Sequence, residues 1–308
     1  MNPVEIVFLG TAASAPTETR NLSAMALRSE GEWFLFDCPE GCQQQMLRSG
    51  VSYMKTSHIF LTHLHLDHVL GIPGLVATLQ MHARIHPLFL YCPEQWKPKL
   101  QKILSLAPKT DFDVQIKGVT RGVVLKTDDY TISCVPLRHE IDCVGYIFEQ
   151  TGKDGEFQRK KAEALKIPEG PLWAKLSKGE KIKHNGKTIA PEAVMDYSKS
   201  KNGAKIAYIV DTIPVMGNVK ALQNATVLVH EATFLEKDAD RAKQTGHSTA
   251  KQAGAIAAKA EVRQLILTHF SARHKELEAL ENECRMEFAR VHTANDLERF
   301  TIHGEEIK

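Results

Sequence analysis

Short apolar runs that end in polar residues recur along the chain and predict an α/β protein rich in strands. Strands are expected at residues 4–9, 33–37, 59–62, 130–135, 144–148, 206–210, 225–229 and 265–267. Helices are expected at residues 93–106 and, with Ser248 as the N-terminal cap, from there to about Lys259. The first half therefore alternates strands and helices, as α/β folds do.

Two of these apolar runs share one pattern. Residues 59–61 and 265–267 are each followed directly by Thr-His. Two such halves, each placing a potential metal ligand at a strand end, predict two packed sheets with helices outside and a metal site in the cleft between them.

The first Thr-His begins a dense cluster of potential metal ligands, namely His63, His65, Asp67 and His68. Neither a helix nor a strand brings these four positions to one face, so a tight loop is expected. Imidazole and carboxylate suit zinc, and also manganese or iron. Four ligands exceed what one catalytic zinc usually takes from the protein, and two metals are therefore predicted.

The remaining ligands are expected at other strand ends, because a strand end positions a side chain more rigidly than a mobile loop. His139, Asp211 and His269 each follow a predicted strand. We allot His63, His65 and His139 to one metal and Asp67, His68 and His269 to the other, with Asp211 shared as a bridging carboxylate. Two metals about 4 Å apart favour hydrolysis of a phosphodiester.

Composition limits the class of protein. The chain has 308 residues, of which 43% are hydrophobic and 25% charged, and a formal net charge of +2, which is typical of a globular protein. It begins without a basic leader and has no apolar run near the roughly 18 residues that span a bilayer, so a cytoplasmic protein with no membrane partner is expected. The six cysteines are expected to be reduced thiols, and half of a structural zinc site at Cys38 and Cys42 is the less favoured alternative.

The charge is unevenly distributed. Residues 153–187 carry ten basic and five acidic side chains, a net charge of +5, and their apolar periodicity is weak. A basic insertion of this kind is suited to contact a phosphate backbone, although a solvated surface loop is the commoner meaning of such a run.

The motifs beyond the ligand cluster resemble those of a known family. The chain carries H-L-H-L-D-H at residues 63–68, H-E-A-T-F at 230–234, H-S-T at 247–249 and L-T-H-F-S-A-R at 267–273. It also has P-T-E-T-R-N at residues 16–21 and G-P-L at 170–172. In order and spacing this set resembles the short form of the RNase Z family of tRNA 3′-processing endonucleases, within the metallo-β-lactamase superfamily, over nearly the whole chain.

The resemblance implies an αββα sandwich as a single domain over residues 1–308, with an inserted, protruding and flexible tRNA-binding arm at residues 151–190. It implies a zinc-dependent endoribonuclease with two Zn²⁺ ions per subunit, or Mn²⁺ or another divalent ion, that removes the 3′ trailer from precursor tRNA and leaves a tRNA 3′ hydroxyl and a trailer 5′ phosphate. It also implies a homodimer.

The resemblance assigns residue roles as well. Asp67 would be a metal ligand and would accept the proton of the attacking water, and His247 would protonate the leaving 3′ oxygen, with Glu231 as a candidate to orient it. The residues expected to contact RNA are Arg20, Gly170, Pro171, Lys175, Lys178 and Arg273.

Two positions depart from the family pattern. Glu18 stands where the early loop often has lysine, and Leu66 stands where the metal loop often has glycine. Two alternatives remain at this point: a phosphodiesterase or other hydrolase of small molecules on the same fold, and an RNA-binding scaffold with an inactive metal loop.

Overall fold

The predicted strands lie at the centre of the fold, in a computed structural model that describes residues 2–308. The strands are β1 (Val4–Gly10), β2 (Ala12–Ala13), β3 (Ala24–Ser29), β4 (Glu32–Phe36), β5 (Thr56–Phe60), β6 (Leu88–Pro93), β7 (Val114–Val119), β8 (Gly122–Lys126), β9 (Tyr130–Leu137), β10 (Cys143–Gln150), β11 (Glu156–Phe157), β12 (Ile182–His184), β13 (Lys187–Ile189), β14 (Met195–Asp196), β15 (Lys205–Ile209), β16 (Val227–Glu231), β17 (Gln264–Thr268), β18 (Phe270–Ser271), β19 (Val291–Thr293), β20 (Arg299–His303) and β21 (Glu306–Ile307). The helices are α1 (Cys42–Ser49), α2 (Leu66–Val69), α3 (Gly71–Met81), α4 (Lys97–Leu104), α5 (Arg159–Ala164), α6 (Pro171–Ser177), α7 (Val219–Leu222), α8 (Ala239–Gln244), α9 (Ala250–Lys259) and α10 (Glu278–Arg285).

The larger of two compact units comprises residues 2–150 and 204–308, and two mixed sheets form its framework. Within those residues the first sheet has eight strands in the order β21-β20-β1-β3-β4-β5-β6-β7, and the second has seven in the order β19-β17-β16-β15-β10-β9-β8. Strands β4 to β7 run parallel to one another, and so do β15, β16, β17 and β19. Such parallel strands direct their carboxyl ends to one edge of each sheet, which is where the metal ligands were expected.

Aromatic side chains fill the space between the two sheets. Phe34 and Phe60 of the first sheet pack against Phe148 and Tyr146 of the second, respectively. A fully buried aromatic side chain contributes roughly 1.5–3 kcal/mol relative to an exposed one, so this layer is a major source of stability.

Helices cover the outer faces of both sheets. On the first sheet the covering residues include Met46 of α1, Leu75 and Leu79 of α3 and Leu100 of α4. On the second they come chiefly from α9 and α10, whose buried residues include Ala253, Ala257 and Leu280. The αββα sandwich predicted from the sequence is confirmed.

Several predicted boundaries shift for local reasons. The helix expected at residues 93–106 is shorter, because Pro93 ends strand β6 and α4 begins only at Lys97, with Pro98 in its first turn. Strand β5 ends at Phe60 instead of Thr62, because the Thr62 N–H donates to the Asp37 carboxylate at 2.8 Å. Strand β16 extends through Glu231, beyond the predicted residue 229.

The cap predicted for the alanine-rich helix is also wrong by one residue. Thr249, not Ser248, is the N-cap of α9, and it forms a reciprocal capping box with Gln252. The Ser248 hydroxyl instead donates to the carbonyl of Thr212 at 2.6 Å. Ser248 thus ties the start of α9 to the loop after β15.

Residues Thr151–Gly203 form the second compact unit, which includes the segment for which the arm is predicted. Despite its weak apolar pattern it has a small core, which includes Ile167, Trp173, Leu176 and Val194. The Trp173 indole N–H donates to the Ile167 carbonyl at 2.9 Å. A few buried residues form this core, and the lysines and glycines between them conceal the pattern in the sequence.

The six cysteines are free and buried. Among the described residues no helix is long and apolar enough to cross a bilayer.

Candidate metal centre

The ligand cluster begins in a loop after strand β5 and continues into helix α2. His65 is the N-cap residue of α2 and has extended backbone, whereas Asp67 and His68 lie on the helix itself. The expected tight loop therefore covers only the first half of the cluster, and one short helical turn carries the second. This change of direction brings the His63 and His68 rings to 4.3 Å between centroids.

The three strand-end residues converge on the same point. Asp211 follows β15, and its Oδ2 atom lies 3.3 Å from Nε2 of His68 and 3.2 Å from Nε2 of His269. Its Oδ1 atom lies 3.8 Å from Nε2 of His139, which in turn is 3.3 Å from Nδ1 of His65. Asp211 is thus placed between the two predicted sets of histidines, as a bridging carboxylate would be.

Backbone strain accompanies three residues of this centre. Asp37, Asp211 and His269 have φ values of 61°, 55° and 60°, in the left-handed region that residues other than glycine seldom adopt. Each such conformation costs on the order of 1 kcal/mol and persists only where the surrounding structure enforces it. Here it turns the side chain at each strand end into the cleft.

The atoms of the centre fit divalent metal ions. Asp211 Oδ2 and His269 Nε2 are buried and, among the described residues, have no hydrogen bond of suitable geometry. Among the described residues, four groups of possible ligands have their atoms within 4.8 Å of one another: His63, His65 and His139; His63, His68 and Asp211; His139, Asp211 and His247; and Glu231, His247 and His269. Imidazole nitrogen and carboxylate oxygen are donors that zinc and its neighbours accept. Two buried polar atoms 3.2 Å apart that lack a well-aligned hydrogen bond are what a bound cation would satisfy.

Asp67 is the most exposed of the predicted carboxylate ligands, with 20% of its side chain accessible. Its Oδ2 atom lies 3.6 Å from Nε2 of His68, and it joins none of the compact donor groups found among the described residues. It therefore borders the centre on a side that solvent can reach.

In this cluster, burial and neighbouring charges have opposite effects on the pKa values of Asp211 and His68. Burial raises the pKa of Asp211, but the nearby His269, His68 and His63 outweigh burial and hold it well below its usual range. Burial lowers the pKa of His68, but Asp211 and Asp37 outweigh burial and raise it to about 10. Burial lowers the pKa of His63. The carboxylates and the histidines thus stabilise one another's charged forms at Asp211 and His68.

Sequence reasoning missed Asp37 as a residue of the centre. Its carboxylate is fully buried, lies 2.9 Å from Nδ1 of His68 and accepts the Thr62 N–H. Such a contact fixes the orientation of a ligating imidazole. The signal was present, because Asp37 follows the apolar strand β4 just as Asp211 follows β15.

Thr233 was missed for a different reason. Its hydroxyl oxygen lies 3.0 Å from Nδ1 of His269 and 2.7 Å from Oε2 of Glu231. Thr233 lies in the H-E-A-T-F motif at residues 230–234, but only the fold shows that it stands between the Glu231 carboxylate and the His269 ring.

Glu231 and His247 form a buried pair beside the ligands. Glu231 Oε1 is 3.1 Å from Nδ1 of His247, and its carboxylate accepts the N–H groups of Thr212 and Ser248. Burial lowers the pKa of His247, but the Glu231 carboxylate outweighs burial and raises it to about 9. His247 thus carries a proton at neutral pH, next to the centre.

The predicted RNA-contact residues fall into two groups. Arg20 donates to the His274 carbonyl at 3.1 Å and lies over the Phe270 ring, so it joins the early loop to the segment after His269. Arg273 lines a cleft of about 270 Å³ together with His247 and Arg241. The remaining four lie in the unit Thr151–Gly203, and they are Gly170, Pro171, Lys175 and Lys178.

In that unit, α6 has a buried apolar face and an exposed face with lysines at its C-terminal end. Gly170, with φ 123°, precedes the helix and Pro171 begins it. Trp173 and Leu176 are buried, whereas Lys175 and Lys178 are exposed. The two lysines are three positions apart and so project from the same side.

Comparison with known proteins agrees with this geometry. A family model described as "Beta-lactamase superfamily domain" matches residues 174–270, and one described as "Anti-Pycsar protein Apyc1" matches residues 4–150. The chain is 39% identical to Ribonuclease Z of Methanothermobacter thermautotrophicus, with 96% of this chain and 95% of that protein covered. It is 40% identical to Ribonuclease Z of Gemmatimonas aurantiaca, with 96% and 94% covered.

A solved structure gives the same result. The crystal structure of human tRNase Z, short form, superposes with a TM-score of 0.70 and 25% identity, covering 97% of this chain and 99% of that one. The likeness therefore extends over nearly the full length of both chains.

Proposed function

The chain belongs to the ribonuclease Z family, and on that basis we propose that it is a metal-dependent endoribonuclease that removes the 3′ trailer from precursor tRNA. One observation carries the proposal. Six of the predicted ligands lie close together around two buried atoms that lack a well-aligned hydrogen bond, and they are His63, His65, His68, His139, Asp211 and His269. Asp67 and His247 border this centre on its accessible sides. The identity of 39–40% to ribonucleases Z favours RNA over a small-molecule substrate.

The reaction is hydrolysis of one phosphodiester. Water attacks phosphorus, the bond from phosphorus to the tRNA 3′ oxygen breaks, and the products are a tRNA 3′ hydroxyl and a trailer with a 5′ phosphate. Divalent ions held by these residues would supply electrostatic stabilisation of the charge that develops on the phosphate.

The side chains divide the proton transfers. The Asp67 carboxylate accepts a proton from the attacking water, because it is the accessible carboxylate at the centre. His247 donates a proton to the leaving 3′ oxygen, and Glu231 holds its ring through Nδ1, so that Nε2 is the nitrogen offered to the substrate.

We assign two zinc ions per subunit, with Mn²⁺ as an alternative, because the predicted ligands outnumber the roughly three or four that one zinc ion takes from a protein. Metal analysis of the purified protein tests the number and identity, and one ion per chain would contradict the assignment.

The unit Thr151–Gly203 is proposed to hold the tRNA body through exposed lysines, which would contact the phosphate backbone of the rigid A-form RNA surface.

The homodimer implied by the resemblance and the cytoplasmic location stay predictions. Light scattering on the purified chain tests the first, and a monomer at the concentration used for cleavage would contradict it.

The central experiment uses precursor tRNA with a labelled 5′ end. The pure protein is incubated with and without chelator, and both product ends are mapped. A cut at the base of the acceptor stem that leaves a 3′ hydroxyl and disappears with chelator is expected. No such cut, or a cut that resists chelator, would contradict the proposal.

A further inference from the structure

A second cleft borders the metal centre through His139. It has a volume of about 750 Å³, and its walls include Trp96, Arg138, His139, Lys243 and Gly246. His139, a proposed ligand, is therefore part of its wall. The volume falls in the range of sites that hold small molecules or a few nucleotides.

Trp96 is the aromatic residue of this cleft, and two contacts fix its position. It is half-buried, and its indole N–H donates to the Asp142 carbonyl at 3.2 Å. The Lys99 ammonium lies 5.2 Å from the ring centroid and 3.4 Å from the carbonyl oxygen of Leu64. Leu64 stands between His63 and His65 in the ligand cluster. The Lys99 side chain thus connects the Trp96 ring to the ligand cluster.

The walls of the cleft carry charges of both signs. Arg138 and Lys243 are exposed on its walls and can face phosphates. Glu140 and Asp142 lie on the same walls, so the cleft does not attract polyanions by charge alone. An aromatic ring with cations nearby is the usual means of holding a single-stranded nucleotide, through stacking on its base.

The direction of the RNA follows from the two clefts. The segment 245–247 separates them: Thr245 and His247 line the smaller cleft and Gly246 lines the larger one. If His247 protonates the leaving 3′ oxygen, the mature tRNA end lies on the His247 side. The strand that continues past the cut phosphate then enters the cleft of Trp96.

We propose that Trp96 is a stacking platform for one base among the first two trailer nucleotides, and so a substrate-positioning residue on the trailer side of the cut. This inference rests on the proposed function. It gives the enzyme a contact with the trailer that does not depend on a particular base, because every base has a face on which an indole can stack.

The test compares Trp96→Ala, Trp96→Phe and the unchanged protein on two precursor tRNAs. One has ordinary trailer nucleotides, and the other lacks the bases at the first two trailer positions. Thermal unfolding of each variant checks the fold. On the ordinary precursor, Trp96→Ala is expected to raise KM about tenfold, as loss of one stacked base does, and Trp96→Phe to raise it less. On the precursor without bases, the three proteins are expected to share one raised KM.

A direct measurement comes from tryptophan fluorescence. A trailer oligonucleotide with a 5′ phosphate is expected to quench the unchanged protein and not Trp96→Phe, since Trp33 and Trp173 are buried. Equal KM values for Trp96→Ala and the unchanged protein on the ordinary precursor, or an equal defect on both precursors, would overturn the inference. Absence of cleavage by the unchanged protein would instead refute the proposed function, so the two failures are distinguishable.

Discussion

Glu231 Oε1 lies 3.1 Å from Nδ1 of His247, and this buried contact determines the charge of the histidine. The carboxylate raises the pKa of His247 to about 9, against the opposing effect of burial. The histidine is therefore protonated on the acid side of that value, as a donor to a leaving oxygen must be. Both residues are far apart in sequence from the ligand cluster, and the fold brings them to its edge.

Glu231→Gln is expected to move the alkaline limit of activity to lower pH. Without the carboxylate, burial dominates and lowers the pKa of His247, so the proton is lost as pH rises through a lower value. We expect kcat at pH 8 to fall by about a hundredfold, within the range for loss of an acid catalyst. A kcat profile from acid to alkaline pH measures this, and exposed Glu287→Gln is the control. An unshifted profile would refute the role of Glu231.

Asp67→Ala is expected to lower single-turnover cleavage of precursor tRNA by about a hundredfold or more, because the proton acceptor for water is removed. The affinity for tRNA should change little, because most phosphate contacts are expected elsewhere. Asp67→Asn keeps the shape of the side chain but cannot accept the proton, so it should show the same decrease. Weak tRNA binding with residual turnover in a gel-shift and cleavage assay would contradict this.

Removal of metal is expected to abolish cleavage and to lower stability. The buried Asp211 Oδ2 and His269 Nε2 atoms lose the partner that a cation provides. Adding zinc at about a hundred times its Kd should restore about 2.7 kcal/mol of unfolding free energy. Denaturant unfolding with and without chelator measures the change. Identical curves would show that these donors do not bind metal.

His58 is expected to make stability depend on pH in the mildly acidic range. Its ring lies against Phe89 at 5.0 Å between centroids, and burial, with Lys117 and Arg84 nearby, lowers its pKa to about 4. The unfolded chain takes up a proton below about pH 6.5 that the folded chain refuses, so stability falls as pH decreases from there towards 4. From about pH 7.5 to about pH 5 the decrease in stability is about 2 kcal/mol by linkage.

Urea unfolding of the unchanged protein and of His58→Phe at both pH values isolates this contribution, because all other titrating groups are common to the two. Between the higher and the lower pH, the unfolding free energy of His58→Phe should rise by about 2 kcal/mol relative to that of the unchanged protein. A pH-independent difference between them would refute the burial argument.

Lys175→Ala with Lys178→Ala is expected to weaken binding of precursor tRNA and to flatten its salt dependence. Removing two lysine–phosphate interactions should reduce the slope of log K against log salt by about two. Exposed Lys126→Ala with Lys259→Ala removes the same charge from β8 and α9 as a control. Equal slopes for both double variants would argue against contact of α6 with RNA.

Eight strands of the two main sheets were predictable because their apolar runs are short and end in polar residues, whereas others, such as β3, β6 and β7, were not predicted. The prediction placed His139, Asp211 and His269 after strand ends, and each lies there in the structure. Boundaries were less predictable where a side chain competes with the hydrogen bonds between strands. The bond from Thr62 to Asp37 ends β5 early, and no local pattern of residues 56–62 reveals a partner 25 positions away.

Local sequence was enough to indicate the layers, the ligand types and their spacing, since amphipathic period and donor chemistry are properties of neighbouring residues. The position of Asp211 between two sets of histidines, the contact of Glu231 with His247 and the connection of Trp96 to the ligand cluster required the folded chain. They depend on the packing of two sheets and on three residues held at positive φ. These contacts join residues far apart in sequence, and no local pattern encodes their distances.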